Sequence, residues 1–166
     1  MVAMKDKSAL YAGEPPSAQA RCGTNPAHRL LVIDDDIGVR QICVQVLISA
    51  GYRVDAAEDG AAGWEALHAN SYDLLITDNN MPKVSGVDLV KKLRCARMSL
   101  PVILTSGAMP ATAGLQLAAT LLKPFSGREL LGTVEKVLCA TDSAREQFEP
   151  LPIWQSQPLA DGLRPS

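Results

Sequence analysis

The segment LLVIDDD, residues 30–36, decides the fold of this chain. Its four consecutive apolar residues are typical of a parallel strand that is covered on both faces, because such a strand has no solvent side. The aspartates follow directly, and Asp36 can cap a helix. Apolar residues then recur at helical spacing from Val39 to Ala50, and Gly51 supplies the stop. A buried strand, an acidic turn and a helix are therefore predicted here.

The same alternation of short apolar runs and helical patterns continues to residue 138. We predict further strands at residues 52–57, 74–77, 102–105 and 118–122, and helices at residues 61–69, 87–94 and from about Ser126, a good cap, to residue 138. Residues 111–117 should form another helix, the fourth in chain order, but they have room for barely two turns. Five strands alternating with helices, with right-handed crossovers, predict an α/β fold with an open parallel sheet between two helical layers.

Composition excludes several classes of protein. The 166 residues, 47% of them hydrophobic and 20% charged, suit one packed domain with some chain left over. A net charge of −2 argues against binding to nucleic acid, which requires a basic surface. No apolar run approaches the ~20 residues of a membrane span, and the N-terminus lacks the apolar region of a secretory signal. We therefore expect a cytoplasmic protein that contacts neither membrane nor nucleic acid.

The two ends of the chain differ from its centre. Residues 1–27 show no sustained period and are predicted to be a flexible leader. Residues 141–166 contain four prolines and are predicted to be a Pro-rich tail, which leaves one domain at residues 28–140. Within the tail, Trp154 lies beside apolar neighbours, and we expect a loosely held hydrophobic spot there rather than docking on the domain or on a partner.

Polar residues leave the ends of four predicted strands: Asp34, Asp35, Asp78, Ser106 and Lys123. Ligands of open α/β sheets bind outside the carboxyl ends of the strands, so these side chains should share one site. Two carboxylates about 5 Å apart repel by roughly 3 kcal/mol at an effective dielectric near 20, so the site requires a cation. Carboxylate oxygens from neighbouring strands are typical ligands of Mg²⁺, which then engages phosphate.

Together these residues resemble the receiver domain of two-component response regulators. The matching motifs are Asp34-Asp35, Asp78 followed by Met81-Pro82 and Gly86, Ser106-Gly107, and Lys123-Pro124-Phe125. They occur in the order that the family requires and cover residues 27–140. No single motif is specific, but the set is.

The resemblance implies a flavodoxin-like, doubly wound five-stranded sheet with the strand order 2-1-3-4-5. It implies that Asp78 accepts a phosphoryl group, that Ser106 and Lys123 assist, and that the Lys123–Pro124 bond is cis. It also implies a Mg²⁺ site formed by Asp34, Asp35, Asp78 and the backbone carbonyl of Asn80, with Asp34 acting through a water. Such a protein is not an enzyme but a phosphoacceptor that assists its own phosphorylation and dephosphorylation.

Three features depart from the family pattern. Thr120 lies three residues before Lys123, where the family usually has Tyr or Phe. Ser106 and Lys123 are only 17 positions apart, which shortens the fourth helix. No output domain is recognisable after residue 140. We therefore expect a stand-alone receiver, a monomer or weak dimer, whose partners are a sensor histidine kinase or phosphotransfer protein and a downstream target protein.

Two other functions compete with this interpretation. A phosphatase of the haloacid-dehalogenase type would use Asp34 and Asp36 as its DxD motif, but it needs an acidic pair after Lys123, where only isolated glutamates follow. A receiver-like scaffold that acts without phosphorylation would be expected to lack an Asp, Ser or Lys of the site, and all are present.

Two groups of charged residues are predicted to lie on the surface. The cluster of Lys91, Lys92, Arg94 and Arg97 fits the solvated face of the third helix. His28 and His68 are far apart in the sequence and are predicted to be surface residues rather than ligands.

Overall fold

A computed structural model describes residues 28–108 and 114–146 of the chain. Its elements are β1 (Arg29–Ile33), α1 (Ile37–Ser49), β2 (Arg53–Ala57), α2 (Gly60–Ala69), β3 (Leu74–Asp78), α3 (Gly86–Cys95), β4 (Val102–Ser106), β5 (Ala119–Leu122) and α4 (Gly127–Glu146). The five strands are parallel and lie in the order β2-β1-β3-β4-β5. The predicted flavodoxin-like fold is confirmed.

Alternate residues of the central strands supply two hydrophobic cores. Leu30 and Val32 of β1 face the core that α1 and α4 cover, whereas Leu31 and Ile33 face the core that α2 and α3 cover. All four side chains are at most 1% exposed. The continuous apolar run of β1 is explained, because each face of the sheet lies under a helical layer.

Polar side chains in the loops after β1 and β5 cap the N-termini of the helices that follow. Asp36 accepts hydrogen bonds from the backbone N–H groups of Gly38 and Val39 at the start of α1. At the start of α4, Ser126 and Glu129 form a capping box, in which each side chain accepts from the other residue's backbone N–H. Both caps were predicted from sequence, and they direct each helix back across the sheet.

The last helix is longer than its sequence pattern predicts. We expected α4 to end near residue 138 and a Pro-rich tail to begin at residue 141, but the helix continues to Glu146. The predicted end was wrong because the first proline of this region is Pro150, and nothing before it breaks the helix. The leader at residues 1–27 and the tail from residue 147 onward lie outside the described residues.

Polar contacts hold the extra turns of α4 against the domain. His28 Nδ1 lies 3.6 Å from Asp73 Oδ2, and His28 Nε2 lies 3.4 Å from Asp142 Oδ2. Arg145 Nη1 lies 3.5 Å from Asp73 Oδ1. The His28 side chain is only 16% exposed, so its predicted surface placement was wrong. The histidine lies between the start of β3 and the extended helix.

The connection between β4 and β5 is irregular where the structure describes it. Residues 114–118 form neither helix nor strand, and Gly114 has a positive φ of 83°. Residues 111–113 of the predicted short helix lie outside the described residues. The prediction of a helix was therefore wrong for residues 114–117. Their irregular backbone agrees with the short spacing between Ser106 and Lys123, which predicts a shortened helix.

Arg94 holds this connection instead of facing solvent. Its guanidinium donates hydrogen bonds to the carbonyl oxygens of Met98, Leu100 and Gln116 at 2.7, 3.0 and 2.6 Å. Lys91, Lys92 and Arg97 are exposed as predicted. The prediction of a fully solvated basic face was therefore wrong for Arg94. Its hydrogen bonds connect α3 to the segment before β5, and we call this set of contacts the Arg94 clamp.

Among the described helices, none is both long and apolar enough to cross a lipid bilayer.

Candidate functional site

Lys123 joins two buried carboxylates at the carboxyl edge of the sheet. Its Nζ lies 2.9 Å from Asp34 Oδ2 and 2.7 Å from Asp78 Oδ1. Asp34 follows β1, Asp78 ends β3, and Lys123 follows β5, so three strands bring these residues together. The aspartates are 4% and 3% exposed, respectively. Two buried negative charges are therefore balanced here by one ammonium group.

Backbone groups hold the other oxygen of each carboxylate. The N–H of Asp36 donates to Asp34 Oδ1 at 3.0 Å, and the N–H of Asn80 donates to Asp78 Oδ2 at 2.6 Å. Thr105 Oγ1 lies 3.5 Å from Asp78 Oδ1, because Asp78 and Thr105 are register partners in β3 and β4. Each carboxylate is thus oriented by the turn that follows its own strand.

The environment of Lys123 favours its charged form. Burial lowers the pKa of this lysine, but the hydrogen bonds to Asp78 and Asp34 and the charges of both carboxylates outweigh burial and raise the pKa above its usual value. Lys123 is therefore a cation at neutral pH. An ammonium group fixed between two carboxylates is also in place to meet further negative charge brought by a substrate.

Ser106 is the polar end of β4 and lies 2% exposed. Its Oγ accepts a hydrogen bond from the N–H of Ala108 at 3.4 Å. Its carbonyl oxygen accepts from the N–H of Lys123 at 2.8 Å, so the end of β4 and the lysine turn are directly connected. The following Lys123–Pro124 peptide bond is cis, as the resemblance implies.

The start of α3 approaches the phosphoacceptor candidate so closely that only glycine fits at its first position. A Cβ on Gly86 would lie 2.3 Å from the carbonyl oxygen of Asp78. The N–H of Gly86 instead donates to the carbonyl oxygen of Asn79 at 3.2 Å. Gly86 therefore allows the loop after β3 to close tightly beneath Asp78, which accounts for its place in the motif.

The predicted Mg²⁺ ligands are brought together only in part. Asp34 and Asp78 meet at Lys123, whereas the Asp35 side chain is exposed. The Asn80 N–H donates to Asp78 Oδ2, so the residue that carries the predicted carbonyl ligand lies beside Asp78. Within residues 28–108 and 114–146, no three His, Cys, Asp or Glu side chains converge as a metal cluster. The donor atoms are carboxylate and carbonyl oxygens, which fit a hard divalent cation in type.

Some residues at the site were not predicted from sequence. Thr105 contacts the Asp78 carboxylate, and the Arg40 guanidinium donates to the carbonyl oxygen of Asp34. Thr105 could have been found as the polar residue directly before Ser106 in an otherwise apolar strand. Arg40 offers no such signal, because its contact depends on how α1 leaves the acidic turn.

Comparisons with known proteins agree on one family. The response regulator receiver domain matches residues 30–135, more than half of the chain. The chemotaxis protein CheY1 of Helicobacter pylori is 37% identical over 123 residues, which cover 69% of this chain and 99% of CheY1.

A longer relative and a solved structure extend this similarity. The probable transcriptional regulatory protein SilR of Salmonella typhimurium is 35% identical over 115 residues, which cover 66% of this chain and 50% of SilR. The chain therefore spans about half the length of SilR and of other transcriptional regulatory proteins that it matches. The response regulator TrrA of Thermotoga maritima, solved in complex with Mg(2+)-BeF, has a TM-score of 0.61 and 28% identity over 66% of this chain and 98% of its own.

Proposed function

This chain belongs to the receiver-domain family of response regulators, and we propose that it signals through Mg²⁺-dependent transfer of a phosphoryl group to Asp78. Receiver domains serve phosphorylation-based signalling and are signalling proteins rather than enzymes. The observation that carries the proposal is the Lys123 ammonium group, which contacts both Asp34 and Asp78 at the carboxyl edge of the sheet. The phosphatase and scaffold alternatives are not favoured by the family match.

The proposed reaction uses Asp78 as the nucleophile. One Asp78 oxygen attacks the phosphorus of the donor, a phosphohistidine or acetyl phosphate, and forms the P–O bond of an acyl phosphate. The bond from phosphorus to the donor's nitrogen or oxygen breaks, and its electron pair leaves with the donor. The negative charge of the transferred group must be balanced while this happens, and the Lys123 ammonium group, already beside Asp78, supplies part of that balance.

The remaining roles belong to residues around the phosphoacceptor. Asp34, Asp35, Asp78 and the carbonyl of Asn80 would hold Mg²⁺, with Asp34 acting through a water. A bound Mg²⁺ ion would neutralise charge on the phosphoryl oxygens. The Ser106 hydroxyl, at the end of β4, would donate a hydrogen bond to one of these oxygens. Asp78 would use Oδ1, which Lys123 now holds, or Oδ2, which Asn80 holds, as the attacking atom.

The partner proteins are a proposal as well. A sensor histidine kinase or phosphotransfer protein would supply the phosphoryl group, and a downstream target protein would detect it. The outer face of α1 suits such a donor, because Ile37 and Ile42 are 62% and 63% exposed and Arg40 is the helix's one charged residue. Ile37 directly follows the acidic turn of the site.

Two properties stay predictions. The net charge of −2 predicts that the chain does not bind nucleic acid, although SilR and other relatives are transcriptional regulatory proteins. A monomer or weak dimer is expected in solution.

Intact-mass measurement tests the central proposal. Incubation of the protein with acetyl phosphate and Mg²⁺ should add one phosphoryl group, and chelation of the metal should prevent it. Asp78→Asn should remain unmodified, because the amide cannot act as the nucleophile. Asp55→Asn is the matched control, since Asp55 lies on β2 and pairs with Arg29 away from the site. Addition of a phosphoryl group to Asp78→Asn would contradict the assignment.

A further inference from the structure

The last turns of α4 lie beyond the residues that the family model matches. The family match ends at residue 135, whereas α4 continues to Glu146. His28 contacts Asp142, and Arg145 contacts Asp73, so the last turns lie against the starts of β1 and β3. These contacts fix the end of α4 at the edge of the domain, and residues 147–166 follow it in the sequence.

A groove opens beside the point where the chain leaves α4. Its volume is about 610 Å³, and its apolar wall includes Leu67, Tyr72, Met98, Leu100, Pro101 and Ala144. Tyr72, Met98 and Leu100 pack on the core beneath but remain partly exposed. The groove lies at the amino-terminal edge of the sheet, opposite the carboxyl edge that carries Asp78. We call it the basal groove.

The segment that follows α4 has the chemistry to fill this groove. Residues 148–154 read FEPLPIW, and they hold one of the chain's two phenylalanines and one of its two tryptophans. Phe148 is two residues beyond Glu146, and Ala144 and Arg145 already line the groove. Seven extended residues reach about 23 Å, so the segment can cross the groove from this start. Pro150 and Pro152 favour an extended backbone, which lowers the entropy lost on docking.

We propose that residues 148–154 dock within the same molecule in the basal groove, with the aromatic rings of Phe148 and Trp154 against Met98 and Tyr72. The segment would cover the apolar surface of Tyr72, Met98 and Leu100 that the domain leaves partly exposed. This inference is independent of the phosphoacceptor role of Asp78, because none of the groove residues lies at the carboxyl edge.

Methyl NMR of the full-length protein tests the docking directly. A docked aromatic ring shifts the methyl signal of a methionine that it covers. The Met98 methyl signal should therefore move in the double variant Phe148→Ala/Trp154→Ala. Met81 is the matched control, since it is 7% exposed and packs in the core beneath the loop after β3. An unmoved Met98 signal would overturn the proposal.

Fluorescence provides a second, independent measurement. The difference between the emission spectra of the wild type and Trp154→Phe isolates the signal of Trp154 from that of Trp64. This emission should be blue-shifted relative to a solvated indole, and Leu100→Glu should reverse the shift. Leu122→Glu is the control, because Leu122 is 48% exposed on β5, away from the groove. Solvated emission in the wild type would contradict the docking, and a blue shift that disappears on dilution would show that the segment docks on a second copy instead.

Discussion

At the scale of single residues, the positive charge of Lys123 balances the negative charges of two buried aspartates. Asp34 and Asp78 are both buried, and one ammonium group contacts both. Removing that group would leave the Asp34 carboxylate with the N–H of Asp36, and the Asp78 carboxylate with the N–H of Asn80 and the Thr105 hydroxyl, as the remaining donors that the structure describes. Lys123 therefore has a different role from Asp35, whose exposed carboxylate takes no part in this balance.

The Mg²⁺ affinity of variants should distinguish the role of Lys123 from that of Asp35. We expect Asp35→Asn to weaken Mg²⁺ binding about tenfold or more, because a hard oxygen ligand loses its charge. Lys123→Ala should bind Mg²⁺ at least as tightly as the wild type, since a competing cation is removed, but should accept the phosphoryl group from acetyl phosphate more slowly. Calorimetric titration and intact-mass time courses measure the two effects. An equal loss of Mg²⁺ affinity in both variants would contradict this division of roles.

Tyr72 predicts a specific loss of stability at alkaline pH. Burial, and then the hydrogen bond to Asp55 and its charge, raise the pKa of Tyr72 from 10.0 to about 12. Because the folded state holds the phenol proton more tightly than the unfolded state, this stabilisation is complete below pH 10 and is lost as the pH rises to 12. Urea unfolding measures the free energy of unfolding at pH 8 and at pH 11. Between these two pH values, that free energy should decrease less for Tyr72→Phe than for the wild type. An identical decrease would show that the phenol is not coupled to folding.

At the scale of elements, the Arg94 side chain fixes an irregular segment, residues 114–118, that was predicted to be partly helical. The segment before β5 forms no regular structure in residues 114–118, yet Ala118 N still donates to Val102 O and begins the pairing of β5. Arg94 fixes this approach by binding the Gln116 carbonyl from the last turn of α3. The described part of the connection at residues 114–118 is thus attached to α3 through Arg94.

Arg94 should therefore contribute more stability than its basic neighbours. We expect Arg94→Met to lower the free energy of unfolding by about 2 kcal/mol, because three carbonyl groups lose a charged donor. Arg97→Met, an exposed position in the following loop, should change it by less than about 0.5 kcal/mol. Denaturant unfolding of both variants provides the measurement, and equal effects would exclude the clamp.

At the scale of the whole molecule, the site and the irregular connection are linked through β4 and β5. Ser106 ends β4, its carbonyl binds the N–H of Lys123, and the chain between them includes Gly107 and Gly114. Thr120, where the family usually has an aromatic residue, is exposed on β5. The backbone of the connection, rather than an aromatic side chain, is therefore expected to carry the change on phosphorylation.

Hydrogen exchange should detect this change. Phosphorylation of Asp78 should alter exchange in residues 107–120, while α2 at Gly60–Ala69 should exchange at the same rate in both forms. The Asp78→Asn variant, treated identically with acetyl phosphate and Mg²⁺, is the control. Unchanged exchange in residues 107–120 would place the output surface elsewhere on the molecule.

The sequence by itself determined the β-α alternation, the caps at Asp36 and Ser126 and the four motifs of the site, because each depends on residues within a few positions of one another. The sequence also predicted that Asp34, Asp78 and Lys123 share one site, but only the tertiary structure decided which atoms of distant segments pair. Lys123 meets Asp34 across 89 positions, Arg94 reaches Gln116, and His28 meets Asp142 on turns of α4 that the sequence pattern did not predict. Local patterns report backbone preference and burial, whereas the pairing of distant polar groups depends on strand register and on the angle at which each helix crosses the sheet.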